Sequence, residues 1–97
     1  MANPKHLGKI LRGVDIWNEW RERNTIPKPN LNAADLRGMR LSTANLEGTD
    51  LGSAYLMDTD LGSANLMQAN LQGANLERAN LIMANLHGAN LERAKHG

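Results

Sequence analysis

The chain has 97 residues, no cysteine, and a formal net charge of +1 from 11 basic and 10 acidic side chains. That length suits one small domain burying a modest share of its surface, and the lack of cysteine excludes a disulfide framework and a thiolate metal site. No apolar run approaches the roughly 20 residues that span a bilayer, and the N-terminus lacks the apolar core of a signal peptide, so the sequence predicts a soluble cytoplasmic protein with no membrane contact.

Residues 1–30 form a leader unlike the rest of the chain. Asn3 before Pro4 is a helix start, because Asn accepts orphan amide hydrogens and proline fits the first turn without losing a useful donor. Leu7, Ile10, Leu11, Val14 and Trp17 then recur at helical spacing on one side, bordered by Asn18 and Arg21. This predicts a single amphipathic helix, stopped by Pro27 and Pro29, which force an extended path into residue 31. Its apolar stripe needs a surface to cover.

From residue 31 a leucine recurs every fifth residue, thirteen times from Leu31 to Leu91. On an α-helix this spacing turns successive side chains by about 140°, so no buried stripe forms. On a flat strand it sends alternate leucines to opposite faces, which this chain has nothing to cover. A chain that turns a corner once per unit and winds into a solenoid keeps every leucine inside. The residues around each leucine agree. A small side chain sits two positions earlier, as in Ala44, Ala54, Ala64 and Ala74, and the residue just before the leucine is usually Asn or Asp. Polar and small residues such as Arg37, Glu47, Gln72 and Glu92 take the positions left for solvent.

Segments such as Ala64-Asn65-Leu66-Met67-Gln68 and Ala74-Asn75-Leu76-Glu77-Arg78 resemble the A(D/N)Lxx unit of pentapeptide repeat proteins. The resemblance covers residues 31–95 and implies a mainly β fold: a right-handed quadrilateral β-helix with four units to a coil. Thirteen units then make 3.25 coils, about 15 Å long at roughly 4.8 Å per stacked strand. The expected organisation is an N-terminal α-helical cap and proline-containing linker over 1–30, the β-helix over 31–95, and a tail over 96–97. Met39 in place of a small inward residue and Tyr55 in place of Asn or Asp predict less regular first coils. The segment Val14-Asp15-Ile16-Trp17-Asn18-Glu19-Trp20-Arg21 with its proline-containing sequel also resembles a leader of bacterial, notably cyanobacterial, members.

The solenoid's open N-terminal end would expose core leucines and unpaired strand groups, and Leu7, Ile10, Leu11, Val14 and Trp17 are expected to cover it. Ile16 and Trp20 lie toward the back of such a helix. They read either as a tolerated surface residue and a ring wrapped over the coil rim, or as a contact patch. Met57, Met67, Ile82 and Met83 occupy outward positions, where methionine suits adaptable binding surfaces, but a four-sided wrap puts them on three different faces. Leu91 and the last strands would present an apolar edge, which predicts one of two things: a homodimer through the C-terminal coil, or a longer solenoid of which this chain is a part.

No chemistry emerges. His6, His87 and His96 lack metal-ligand spacing and read as solvated, and Asp58 and Asp60 flanking Thr59 read as turn chemistry. No nucleophile elbow or phosphate-binding loop is present, so no catalytic residue, cofactor or metal is assigned. The resemblance offers one specific activity, inhibition of DNA gyrase by a strongly acidic β-helix that mimics DNA. Residues 31–97 carry five basic and seven acidic side chains, a net charge of −2, which is far from a dense negative field. The leader carries six basic and three acidic side chains, too mixed for a nucleic-acid binder. The sequence therefore reads as a non-enzymatic structural or protein–protein interaction module with an unknown protein partner. The alternatives are a gyrase-directed DNA mimic and a targeting or scaffold part of a longer effector protein.

Overall fold

The computed structural model describes residues 1–97. Two helices lead, α1 (Pro4–Leu11) and α2 (Val14–Arg23), and the rest is a solenoid in which only β1 (Asn75–Leu76) and β2 (Lys95–His96) are longer than a single bridge. Parallel bridges join residues 20 apart, including Asn30 to Asp50, Asp35 to Tyr55, Arg40 to Asp60 and Asn45 to Asn65. Four five-residue units therefore close one coil, and the four ladders run along its four sides. This is the β-helix that the repeats imply, with strands so short that each side holds little more than one paired residue per coil.

Every unit turns by the same device. The amide of the small inward residue donates to the carbonyl of the preceding leucine, as in Ala34 to Leu31 and Ala64 to Leu61, both at 3.0 Å. The residue two after each leucine has positive φ, whether it is Gly38 at 70°, Ser53 at 55° or Met83 at 65°. A positive φ at the third residue of a hydrogen-bonded four-residue turn is the signature of type II.

The Asn or Asp before the leucine serves the same corner. Its Oδ1 accepts the amide two residues on, as Asn65 does from Met67 at 3.0 Å and Asp60 from Gly62 at 2.9 Å. Such Asx turns fix the direction of the chain locally, which is why these residue types recur there. Between coils the side chains also stack: Asn70 Nδ2 donates to Asp50 Oδ1 at 3.2 Å, and Asn80 Nδ2 to Asp60 Oδ1 at 3.0 Å.

Leucines 31 through 76 are buried, interleaved with Ala34, Ala44, Ala54, Ala64, Ala69 and Ala74 in one cluster that also contains Ile10 and Trp17. Thr49 and Thr59 replace alanine at two inward positions. Thr59 meets the cost of a buried hydroxyl by donating to the Leu36 carbonyl at 2.8 Å. The irregularity expected in the first coils does not occur. Met39 is partly buried against the core, and Tyr55 keeps both ladder bonds, from its amide to the Ala34 carbonyl and from the Leu36 amide to its carbonyl, both at 2.9 Å. Its ring points into solvent, and a ladder position needs only its backbone.

The leader departs from the single helix that periodicity predicts. Asn3 caps α1 as expected, its Oδ1 accepting from Lys5 N at 2.8 Å and His6 N at 3.4 Å, with Pro4 in the first turn. The helix ends at Leu11, and Gly13, at φ 109°, redirects the chain before α2. A side chain rarely tolerates that φ, so the break sits where glycine allows it. α2 then stops at Arg23, ahead of both prolines, with Asn24 Nδ2 donating to the Trp20 carbonyl at 2.9 Å. No helix is long and apolar enough to cross a membrane.

Candidate functional site

A first coil has no neighbour on one side, so the ladder groups that would pair with a preceding coil need other partners. On two of the four sides the leader supplies them. At the Asn30 side, the Asn3 amide donates to the Asn30 carbonyl at 3.0 Å, and the Asn30 amide donates to His6 Nδ1 at 2.9 Å. At the Asn45 side, the Asn45 amide donates to Asn18 Oδ1 at 2.7 Å. The Asn45 carbonyl accepts from Trp17 Nε1 at 2.6 Å and Arg21 Nη1 at 3.3 Å, and Arg21 Nη2 donates to the Glu47 carbonyl at 3.0 Å. Side chains thus imitate the backbone of a coil that is not there.

Burial tunes two of these groups. Desolvation, reinforced by the nearby positive Arg21, pushes the His6 imidazole below its ordinary range and favours the neutral form whose Nδ1 can accept from Asn30. Burial also lowers Arg21, partly countered by Glu47. His6 packs on Trp20, and Trp20 on Trp17, with ring centroids 5.1 Å apart in each pair. His6 is therefore a part-buried structural acceptor, a correction to its reading as solvated.

Of the residues expected to cover the coil, Ile10 and Trp17 are fully buried, and Leu7 and Val14 are partly buried against the core. Leu11 is not among them. It is 54% exposed, because the turn at Arg12–Gly13 ends α1 at that point and α2 takes over the covering. Trp20 lies partly buried on the core rim, and Ile16 joins it in lining a shallow groove with Lys9, Arg12, Glu19 and Arg23.

Along the solenoid, Met57 and Met67 are half-buried at their corners, while Ile82 and Met83 are 72% and 82% exposed. The 20-residue coil puts Met57, Met67 and the Ile82–Met83 pair on three different sides, so they do not form one patch. Leu91 is 41% exposed in the last coil. Periodicity gave no separate role to Asn18 and Arg21 beyond bordering the apolar stripe. Their polar reach to the Asn45 corner depends on how α2 crosses the coil.

Electrostatics on the walls is local. Arg37 holds the Asp35 carboxyl at about 2 through a paired hydrogen bond, and Arg78 likewise lowers Asp58 across one coil at 2.9 Å. No three His, Cys, Asp or Glu side chains converge as a metal site would require.

The sequence matches the family of pentapeptide repeats in eight copies, over residues 30–62 and 59–95. No curated protein matches it. Among solved structures, a pentapeptide repeat protein from the thylakoid lumen of Arabidopsis thaliana is 27% identical with a TM-score of 0.67, over 72% of this chain and 48% of its own. One from Nostoc is 34% identical with a TM-score of 0.50, over 78% of this chain and 73% of its own. The chain thus spans about half the length of the Arabidopsis protein. The repeat register, the four-sided coil and these matches together place the chain in the pentapeptide repeat family.

Proposed function

We propose that this chain is a non-enzymatic structural or protein-interaction module: a short pentapeptide β-helix, covered at one end by two helices, whose rigid walls meet another protein. The observation that supports this reading most is the wall itself. Every corner is a type II turn, and an Asx turn also fixes each one except those at Arg40 and Tyr55, so outward side chains stand on a lattice about 4.8 Å apart along the axis, while the interior is filled with leucine and alanine. Such a surface suits recognition, and no acid, base and nucleophile converge on it.

A pull-down from native lysate with the wild-type chain, repeated with Ile82→Glu and Met83→Glu, tests this reading. A protein retained by the wild type and lost with a wall variant supports it. A captured set identical to that on bare resin overturns it.

The DNA-mimic alternative has less support. Asp50, Asp35, Asp60 and Glu47 belong to four different sides, and Asp35 and Asp58 are neutralised by arginine. A supercoiling assay with gyrase checks it directly. The scaffold alternative draws on the greater length of the Arabidopsis neighbour.

A further inference from the structure

The leader completes only two sides of the first coil. On the other two, neither the amide nor the carbonyl of Asp35 or Arg40 meets a protein partner, and the Arg37 carbonyl is also free. The difference is visible at the corners. A Cβ on Gly48 would lie 2.7 Å from the Pro27 carbonyl oxygen of the linker, whereas one on Gly38 would meet nothing within 4 Å. Beside this bare edge runs an open, mainly apolar groove of about 510 Å³. Its walls are Pro4 and Leu7 of α1 with Ala2 on one side, and Ala33, Ala34 and Asp35 of the coil on the other.

We propose that this groove and edge form a docking site for an extended peptide segment of another protein, added as a parallel strand below Asp35. The native ladder supplies the register. Tyr55, which pairs with Asp35 from above, donates its amide to the Ala34 carbonyl and accepts from the Leu36 amide. A peptide residue opposite Asp35 on the free side repeats this one coil lower. The carbonyl of the residue before it accepts the Asp35 amide, and the amide of the residue after it donates to the Asp35 carbonyl. The side chain of the residue before it then faces the same way as Ala34, into the groove beside Leu7 and Pro4. Main-chain bonds thus set direction and register, and the groove selects a small or medium apolar side chain.

Two features favour a peptide over simple hydration of the edge. The unpaired groups continue an established ladder in its own register, and the apolar groove lies at the point where the incoming side chain must go. The inference deepens the interaction-module reading. Failure of the peptide experiment removes this site only, while the pull-down decides the broader reading.

The test uses the full chain and a labelled, capped hexapeptide alternating valine and serine, beside the same peptide N-methylated on its valine amides. Binding is followed by fluorescence anisotropy, and amide exchange at Asp35 by NMR. The expected result is a Kd at or below about 1 mM that weakens at least about tenfold on methylation, the equivalent of one lost hydrogen bond. Asp35 exchange should slow, while that of the Asn45 amide, already held by Asn18, is unchanged. No binding at that concentration, equal binding of the methylated peptide, or equal slowing at Asn45 overturns the site.

Discussion

Replacing Trp17 by alanine removes the largest buried side chain of the leader. It is fully buried in the core cluster, so the truncation leaves a cavity between α2 and the first coil, and buried aromatics typically cost about 3–5 kcal/mol on such truncation. The lost bond from Nε1 to the Asn45 carbonyl adds little, about 1 kcal/mol, because Arg21 still donates to that oxygen. A domain of 97 residues holds about 5–15 kcal/mol in total, so the variant forfeits a large fraction of its stability. At about 4–8 °C per kcal/mol for a chain of this size, the midpoint should fall by more than about 12 °C. Trp17→Phe separates the contributions, since it keeps most of the packing and loses the hydrogen bond, and should cost about 1–2 kcal/mol. The assay is thermal unfolding followed by circular dichroism, with exposed Glu77→Ala as the control. A Trp17→Ala midpoint equal to that of the control would refute the covering role assigned to α2.

Other substitutions probe the solenoid and its junction. Leu66→Lys should abolish folding, because Leu66 is fully buried, whereas Met67→Lys at its half-exposed corner should be tolerated; circular dichroism showing the same state for both would contradict the inward register. Gly38→Ala and Gly48→Ala place a side chain at the same positive φ, but only at Gly48 does the new Cβ meet the Pro27 backbone. Gly48→Ala should therefore be the more destabilising by at least about 1 kcal/mol in urea unfolding, and equal losses would argue against the linker lying under that corner. His6 is lowered from 6.5 in the fold, so its contribution is complete above that value and is lost as pH falls through the folded pKa. Urea unfolding at decreasing pH should show a loss that shrinks in His6→Gln, and an unchanged pH profile in that variant would deny the Asn30 contact its role.

The five-residue register, the inward leucines and alanines and the helix start at Asn3 were legible in the sequence because each rests on local chemistry. A leucine can be kept inside at that spacing only if the chain turns at every unit. Asn or Asp before the leucine binds the amide two residues later, and the cap at Asn3 needs only amides two and three residues on. What the tertiary structure decided concerns groups far apart in the chain. The twenty-residue coil is a relation between residues such as Asn45 and Asn65, whose bonding is carried by backbone and leaves little trace in side-chain type. The break at Gly13 looks like an ordinary helical position in a periodicity count, and it removed Leu11 from the buried surface while bringing Asn18 and Arg21 to the Asn45 corner. His6 carries no sequence signal of its role, since its neutral, part-buried state depends on the Asn30 amide and on Arg21, which meet it only when both helices lie across the first coil. Periodic local turns are encoded residue by residue, whereas the pairing of orphan backbone groups at the coil's end depends on the path of the chain through space.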